Sequence, residues 1–337
     1  MPSPKKILII APAWVGDLVM AQTLFKIIKQ NNADYEIHIL AINALHPLLE
    51  RMPEVDKIIN SPFDHGELRL RERYRLALKL REEHYNEAII LPNSFKSALI
   101  PFLANIAVRT GWRGEFRYIL LNNQKILYAS KLSLMAQRFA ALGIEAGNQL
   151  PEVIPRPELI ITEESLQKTL EKLYITKSQK KVLAICPGAE YGASKRWSAT
   201  YFAEVAKHKK GECWDVWLFG GNKDQEIAAE IQKLSDNACI NFVGKTNLGE
   251  AADLLSLANV VVTNDTGLMH VAAALDKKII ALYGSSSPKF TPPLASKVKI
   301  LSLNLPCSPC FKRECPLGHG DCLSGLKPEL VLEAIKL

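Results

Sequence analysis

The stretch Val260-Val-Val-Thr-Asn-Asp-Thr-Gly-Leu-Met-His270 joins an apolar run to a polar turn and a glycine. Its β-branched residues are typical of a buried strand in a parallel sheet, and a helix is predicted to begin at Gly267. The N–H groups and the positive dipole end of a helix start suit a phosphate, which Gly267 allows to approach the backbone closely. Thr266 is placed to cap the helix and to donate its hydroxyl to a phosphate oxygen. The alternative is a plain strand–turn–helix with an Asp or Thr cap.

The same alternation of strand and helix extends on both sides of this stretch. Other strands are predicted at Lys6–Ala11, Glu36–Ala41, Lys57–Asn60, Glu87–Leu91, Val108–Gly111, Val182–Cys186, Asp215–Phe219, Ile240–Phe242 and Ile279–Tyr283. Helices are predicted at Asp17–Gln30, Leu68–Glu83, Ser94–Asn105, Ser198–His208, Asp224–Leu234, Leu248–Leu257 and Gly267–Leu275. Strands that alternate with helices predict a parallel sheet with helices on both faces.

The chain of 337 residues is long enough for two such domains, each with its own core. The polar, proline-rich stretch Leu150–Lys181 is the predicted linker, and it divides the chain into domains 1–160 and 161–337. Two doubly wound parallel-sheet domains facing each other are expected to form a cleft at the carboxyl ends of their strands, where ligands bind in such sheets.

Composition favours a soluble globular protein, with 48% hydrophobic and 23% charged residues. No apolar run reaches the length of about 18 residues that a membrane span needs. The N-terminus is interpreted as leading into a first strand and not as an export signal, so a cytoplasmic location is expected. The net charge of +7 lies mainly in the first half, which suggests an anionic partner there or a basic surface that favours solubility. No motif for binding nucleic acid is present.

Three further loops follow strands of the second half and are predicted to meet the same cleft. The glycine-rich segment from Cys186 to Trp197 contains Lys195, which is placed to neutralise a leaving pyrophosphate or is simply a solvated lysine. Asp224 or Glu226 is a candidate to bind ribose hydroxyls, and the alternative is that first-turn acids complement the helix dipole. Thr246, in the loop after the third strand of this half, is a candidate to lie near an adenine.

Asp17 follows the first strand of the first half, in Pro12-Ala-Trp-Val-Gly-Asp17. As a functional residue it would be a general base that deprotonates an acceptor hydroxyl. As a structural residue it would be a helix N-cap, and taken alone that interpretation is favoured.

Gly16-Asp17, Lys195-Arg-Trp197 and Asp265-Thr-Gly-Leu-Met-His270 together resemble the ADP-heptose:lipopolysaccharide heptosyltransferases, glycosyltransferase family 9. The resemblance covers essentially the whole chain. It implies a GT-B fold, in which two Rossmann-like domains face each other across a cleft. It also implies inverting transfer from ADP-L-glycero-β-D-manno-heptose that requires no metal. The implied acceptor is the first heptose of the inner core on Kdo-lipid A. The alternative is a related family member that uses a different acceptor.

The resemblance also assigns roles to residues of this chain. Asp17 would be the base, and Lys195, Thr266 and Gly267 would hold the donor diphosphate. Asp265 and His270 would line the sugar or phosphate side. Asp224 or Glu226 would hold the ribose, and Thr246 would lie near the adenine. The loop lengths leave the matching positions ambiguous by a residue or two, so either acid is a candidate. The implied enzyme is a monomer at the inner face of the inner membrane.

Basic residues of the first half are the predicted contacts of an acceptor rich in carboxylate and phosphate. The candidates are Lys96, Arg109, Arg113 and Arg117. For Arg113 and Arg117, which are four residues apart, the alternative is a solvated helix face.

Four of the seven cysteines cluster in the loop of residues 305–323, at Cys307, Cys310, Cys315 and Cys322. In a cytoplasmic protein this spacing suggests a structural zinc or iron ion, and the alternative is four reduced thiols in a loop.

Two other functions are alternatives. A nicotinamide-dependent oxidoreductase predicts a Gly-x-Gly-x-x-Gly turn after the first strand, and neither half contains one. A non-catalytic sugar-nucleotide or metal-binding module, suggested by the cysteines, predicts that ADP-heptose binds without turnover.

Overall fold

The computed structural model describes residues 4–63, 67–145 and 147–336. The chain forms two compact units, of which the first ends at Pro157 and the second begins at Glu158. This division lies within a few residues of the domain boundary that the sequence predicts, in the same proline-rich stretch.

The first unit contains a six-stranded parallel sheet flanked by helices. Its strands are β1 (Lys6–Ile10), β2 (Glu36–Ala41), β3 (Lys57–Asn60), β4 (Glu87–Ile90), β5 (Val108–Trp112) and β6 (Asn123–Lys125). Its helices are α1 (Val15–Asn31), α2 (His46–Leu49), α3 (Leu70–Arg81), α4 (Phe95–Leu103) and α5 (Met135–Leu142). The strand order is β3-β2-β1-β4-β5-β6, and every pairing is parallel.

The apolar sequence of β1 explains its place in the middle of this sheet. Ile9 pairs in register with Ile39 on β2 and with Ile89 on β4, and all three side chains are buried. Such continuous burial is expected where helices cover both faces of a parallel sheet. Helix α1 packs against α5, where the Thr23 hydroxyl also donates to the Ala136 carbonyl at 3.2 Å.

The second unit repeats this plan. Its strands are β7 (Val182–Cys186), β8 (Asp215–Leu218), β9 (Cys239–Asn241), β10 (Val260–Asn264), β11 (Lys278–Leu282) and β12 (Val298–Leu301). Its helices are α6 (Glu163–Lys172), α7 (Ala199–Gly211), α8 (Gln225–Leu234), α9 (Leu248–Ser256), α10 (Gly267–Ala274), α11 (Asp321–Ser324) and α12 (Pro328–Lys336). The strand order is β12-β11-β10-β7-β8-β9, again with parallel pairs.

Aromatic side chains fill much of the core of the second unit. Trp197 is 1% exposed and makes an edge contact with Phe202 at 4.8 Å between ring centroids. Its indole Nε1 donates to the Leu326 carbonyl at 2.7 Å, so the polar atom of this buried ring has a partner. This contact ties the loop after β7 to the C-terminal part of the unit.

Strand order places one pair of loops at a topological switch point in each unit. In the first sheet the chain moves from β1 to β3 on one side and then returns to β4 on the other side of β1. In the second sheet β7 and β10 are the corresponding neighbours. Ligands bind at such points in open parallel sheets, outside the carboxyl ends of the strands. The loops after β1 and β4, and those after β7 and β10, are therefore the places to look for function.

Several elements were not predicted from the sequence. The edge strands β6 and β12 and the helices α2, α5, α11 and α12 were missed. The predicted linker Leu150–Lys181 contains α6, which the Thr162 hydroxyl caps by accepting from the Ser165 N–H at 3.1 Å. Helix α6 is attached to α9 because the buried Asp253 carboxylate accepts the Thr169 hydroxyl at 2.7 Å. The polar sequence of this stretch therefore did not indicate a helix, because the helix is stabilised by a side-chain contact with a residue far along the chain.

The helices are short relative to a bilayer. Helix α1 has 17 residues, which corresponds to about 25 Å at 1.5 Å per residue. Within the described part of the chain, no helix has both the length and the apolar character needed to cross a membrane.

Candidate active site

The loop between β10 and α10 forms the predicted phosphate-binding turn. All five residues of β10 are buried, and the helix begins at Gly267. The Thr266 side chain caps the helix by accepting a hydrogen bond from the Leu268 N–H at 3.1 Å. The first N–H groups of a helix have no acceptor within the helix, and a half-buried Thr266 and Gly267 leave this end accessible to an anion.

Lys195 lies beside this loop, in a short 3₁₀ turn after β7. Its Nζ is 2.6 Å from Oδ2 of Asp265, and the two side chains are 18% and 7% exposed. The same ammonium group lies 5.0 Å from the centroid of the Tyr191 ring. The predicted phosphate-binding lysine and the acid of the phosphate loop are thus brought together at the switch point of the second sheet.

Asn264, the last residue of β10, fixes both ends of the loop that carries Lys195. Its Nδ2 donates to the Pro187 carbonyl at 2.7 Å, and its Oδ1 accepts from the Trp197 N–H at 3.1 Å. The side chain is fully buried, so these bonds are shielded from water. Asn264 therefore holds Lys195 close to Asp265 without facing the site itself.

His270 lies one helical turn beyond Gly267 and is buried. The pKa of His270 is lowered to about 4, chiefly by burial; the Asp265 charge opposes this shift, and the Lys195 charge adds to it. The ring is therefore neutral at physiological pH. Tyr283 on the adjacent strand end is also buried, and burial followed by the Asp265 charge raises its pKa well above the usual value. Two neutral, buried polar rings thus lie near the ion pair.

The three remaining donor candidates occupy the loops after β8 and β9. Asp224 lies beneath the loop glycines, since a Cβ on Gly188 would fall 2.4 Å from its carboxyl group. Its Oδ2 accepts from the Gly221 N–H at 2.9 Å, and burial raises its pKa. Glu226 is exposed in the first turn of α8, and Thr246 is half-buried just before α9. The Asp224 carboxylate thus binds the backbone of its own loop, whereas the Glu226 side chain faces solvent.

The first unit contains a cavity of about 560 Å³ at the switch point of its sheet. Asp17, in the first turn of α1, lines this cavity together with Lys96 from the start of α4 and Arg113 after β5. Arg73 and Arg138 line it as well. Among the described residues, the cavity therefore combines one carboxylate with several cations, as expected for a site that activates a hydroxyl on an anionic molecule.

Comparisons with known proteins identify relatives of this chain. The sequence model of glycosyltransferase family 9 (heptosyltransferase) matches residues 73–320. Lipopolysaccharide heptosyltransferase 2 of Salmonella typhimurium is 42% identical over 98% of this chain and 97% of that protein. The chain belongs to glycosyltransferase family 9. The predictions of this family and of a glycosyltransferase activity are confirmed.

Two further relatives extend the comparison. Lipooligosaccharide heptosyltransferase 2 of Haemophilus influenzae is 42% identical over 98% of both chains. The solved structure of ADP-heptose lipopolysaccharide heptosyltransferase II from Escherichia coli superimposes with a TM-score of 0.87, at 38% identity, over 98% of this chain and 97% of that one. The predicted GT-B class, built from two Rossmann-like units, is confirmed for this family 9 enzyme.

Two of the predicted acceptor contacts of this family 9 enzyme have other surroundings. Arg117 is 1% exposed and donates to the carbonyls of Pro92 and Trp112 at 3.0 and 2.5 Å and to the Asn93 side chain. Arg109 donates to the Leu120 and Ile106 carbonyls at 2.7 and 2.5 Å and is not among the described residues that line the cavity. Residues 113–117 form turns and no helix, so the alternative of a solvated helix face is wrong.

The cysteine cluster does not form the predicted metal site. Cys307, Cys310, Cys315 and Cys322 line one small cavity of about 30 Å³ and are all unbridged. Yet no group of three or more His, Cys, Asp or Glu side chains among the described residues is arranged to hold a metal ion. The structure therefore gives no support to a structural zinc or iron, and the alternative of reduced thiols in a loop describes what is observed.

Several residues that shape these sites were missed by the sequence predictions. Asn264 lies within the predicted phosphate loop but has a supporting role that depends on contacts 67 and 77 residues away. Arg73 donates to the Lys96 carbonyl at 3.2 Å and stacks its guanidinium over the Phe63 ring at 4.2 Å, which fixes the start of α4. Arg138 belongs to α5, a helix that was not predicted at all. No local sequence signal distinguished these residues.

Proposed function

We propose that this enzyme transfers L-glycero-D-manno-heptose from ADP-heptose to the first heptose of the lipopolysaccharide inner core, carried on Kdo2-lipid A. The observation that carries the proposal is the Lys195 ammonium group, held by Asp265 beside the start of α10, where a lysine and a helix terminus together suit a diphosphate. The choice of heptose and of a lipopolysaccharide acceptor is supported by relatives named lipopolysaccharide and lipooligosaccharide heptosyltransferase 2, which are 42% identical over nearly the whole chain.

The donor diphosphate binds at the start of α10. Its oxygens accept from the first N–H groups of the helix at Gly267 and from the Thr266 hydroxyl, and Lys195 supplies the compensating positive charge. Asp265 keeps the Lys195 ammonium in place when no donor is bound. His270 and Tyr283 lie behind this pair as neutral groups, so no further buried charge competes with the diphosphate.

The nucleoside extends from the diphosphate toward the loops after β8 and β9. Glu226 is the better ribose ligand, because its carboxylate is exposed while that of Asp224 is occupied by the Gly221 N–H. Thr246 lies near the adenine. Asp224 supports the site from beneath, since it fills the space under Gly188 and Gly220.

The acceptor binds in the cavity of the first unit. The Asp17 carboxylate takes the proton of the acceptor hydroxyl. At the same time the oxygen of that hydroxyl forms a bond to the anomeric carbon of the heptose. The bond from that carbon to the phosphate oxygen breaks, and ADP leaves with the electron pair, so the anomeric configuration inverts. Lys96, Arg113 and Arg138 pair with acidic groups of the acceptor. The transfer itself uses no metal ion.

The location follows from the acceptor. A lipid A core is embedded in a membrane, so we place the enzyme at the cytoplasmic face of the inner membrane as a peripheral monomer. The basic excess of the first half is consistent with an acidic membrane surface as well as with an acidic acceptor.

The experiment supplies ADP-heptose with one of two acceptors, heptosyl-Kdo2-lipid A or Kdo2-lipid A that lacks the first heptose. We expect ADP release and a product heavier by one heptose with the first acceptor only. Transfer only to Kdo2-lipid A would show that the enzyme adds the first heptose and not the second. ADP-heptose binding with no product on either acceptor would contradict the proposal and favour a binding module.

A further inference from the structure

The cysteine-rich loop, residues 305–323, contacts the segment that carries Lys195. The Ser194 N–H donates to the Arg313 carbonyl at 3.1 Å, and the Ser194 hydroxyl donates to the Lys312 carbonyl. Both acceptors are main-chain oxygens, so the contact depends on the path of the loop and not on its side chains. The residue that directly precedes Lys195 is therefore held by the cysteine-rich loop.

Tyr191 makes a second connection between the same two segments. Its hydroxyl donates to the Phe311 carbonyl at 2.8 Å, and its ring lies 5.0 Å from the Lys195 ammonium group. The Arg313 guanidinium lies 5.6 Å from the same ring. An aromatic face attracts a nearby cation, so the position of this ring constrains where the lysine side chain rests.

Gly192 allows the two backbones to approach each other this closely. A Cβ at this position would lie 2.4 Å from the Arg313 carbonyl oxygen and 2.9 Å from two further backbone atoms of Arg313. Main-chain atoms cannot rotate away as a flexible side chain does, so any larger residue here forces the segments apart.

The cysteine-rich loop is in turn attached to the loop after β11. The Phe311 N–H donates to the Ser285 carbonyl at 2.7 Å, and the Ser194 and Ser285 hydroxyls are 3.0 Å apart. Three loops of the second unit thus share one network of main-chain contacts.

We infer that the cysteine-rich loop positions Lys195 for the donor diphosphate, with the carbonyls of residues 311–313 acting through Ser194 and Tyr191. The inference rests on the proposed function, because it takes Lys195 as the ligand of the diphosphate. Asn264 fixes the two ends of the segment that carries Lys195, at Pro187 and Trp197. The cysteine-rich loop contacts this segment between those ends, at Tyr191 and at Ser194, the residue before the lysine. Residues 311–313 are positioning residues, since they act through Lys195 and not on the donor.

The test is a calorimetric titration of the full chain with ADP, using Gly192→Ala and Tyr191→Phe. Gly192→Ala separates the two backbones, and we expect ADP affinity to fall roughly 10- to 100-fold, as for a small misplacement of a site group. Tyr191→Phe keeps the ring and loses one hydrogen bond, so a smaller loss of about 2- to 10-fold is expected. The control is Gly211→Ala at the end of α7, where a Cβ meets nothing within 4 Å and affinity should not change.

The double variant Gly192→Ala/Lys195→Ala separates positioning from a general structural effect. If the loop acts through Lys195, the double variant binds ADP as weakly as Lys195→Ala alone, within about twofold. Additive losses, or an unchanged affinity in Gly192→Ala, would overturn the inference. If Lys195→Ala itself binds ADP normally, the assignment of the donor site fails instead. Thermal unfolding of each variant identifies any loss that comes from unfolding.

Discussion

The ammonium group of Lys195 lies 2.6 Å from the carboxylate of Asp265, although the two residues are 70 positions apart in the chain. Each stands on a loop that follows one of the two neighbouring strands at the switch point of the second sheet. Asp265 is nearly buried, so its charge depends on the lysine for compensation. Under the proposed function, donor binding adds phosphate oxygens to a cation that is already held in place, which lowers the cost of ordering it.

Asp265→Asn removes one charge of this pair and nearly preserves its shape. Because Lys195 is 18% exposed, we expect a loss of about 1–3 kcal/mol in the free energy of unfolding, less than for a fully buried pair. We also expect kcat/KM for ADP-heptose to fall at least about 10-fold. Denaturant unfolding and steady-state kinetics measure the two effects. Asp236→Asn, which breaks an exposed pair with Lys207, should cost little, and equal effects of the two substitutions would contradict this role.

Asp17→Asn tests the base without altering the donor site. The amide keeps the size of the side chain but cannot accept the acceptor proton, so kcat should fall about 10²- to 10⁴-fold. ADP affinity should stay within about twofold of the unsubstituted enzyme, because Asp17 lies in the first unit and the donor residues in the second. Single-turnover kinetics and ADP titration measure these quantities. Full transfer by the variant would exclude Asp17 as the base.

The sequence predicted the strands that carry the sites because their signals are local. β7 was predicted with the bounds that the structure has, and the stretch from Val260 to His270 forms the predicted strand, turn and helix. Parallel strands that are buried on both faces are recognisable as continuous apolar runs. The edge strand β6, with the sequence Asn-Gln-Lys, is polar and carries no such signal.

Side-chain partners could not be predicted in the same way. Arg113 and Arg117 are equivalent in sequence terms, yet one lines the cavity and the other is buried among main-chain carbonyls. The difference arises from the turns of residues 113–117 and from Pro92, which lies on a separate loop. Contacts between loops distant in the chain decide such cases, and no local pattern encodes them.

His270 should make stability depend on pH. Its pKa of about 4 in the folded protein lies below the value of 6.5 expected when the chain is unfolded, so the unfolded chain binds the proton more tightly. Stability is therefore fully present above about pH 6.5 and falls as pH decreases toward 4, by about 3 kcal/mol at most. His38, whose pKa is also lowered mainly by burial, adds a change of the same sign.

His270→Gln removes the contribution of this ring. The midpoint of denaturant unfolding should then fall less between pH 7 and pH 4.5 than it does in the unsubstituted enzyme. His208→Gln, at an exposed position near the end of α7, is the control for replacing a histidine without burial. If the pH profile of His270→Gln were identical to that of the unsubstituted enzyme, the ring would not titrate as its burial implies.

Arg117→Lys tests whether a buried guanidinium holds residues that line the cavity of the first unit. Arg117 donates to the carbonyls of Pro92, Trp112 and Gly114 and to the Asn93 side chain. These are four acceptors, whereas an ammonium group has three N–H donors on a single atom. At least one buried acceptor would lose its donor, so we expect a loss of about 2–4 kcal/mol in the free energy of unfolding.

The carbonyl groups that Arg117 binds belong to residues that line the cavity. The same variant should therefore raise KM for the acceptor substrate while ADP affinity stays unchanged. Unfolding midpoints and acceptor titrations at saturating ADP-heptose measure both effects. Arg75→Lys, at an exposed position of α3, provides the control for replacing an arginine without burial. If Arg117→Lys were as stable as this control, the carbonyls around Arg117 would not need its full set of donors.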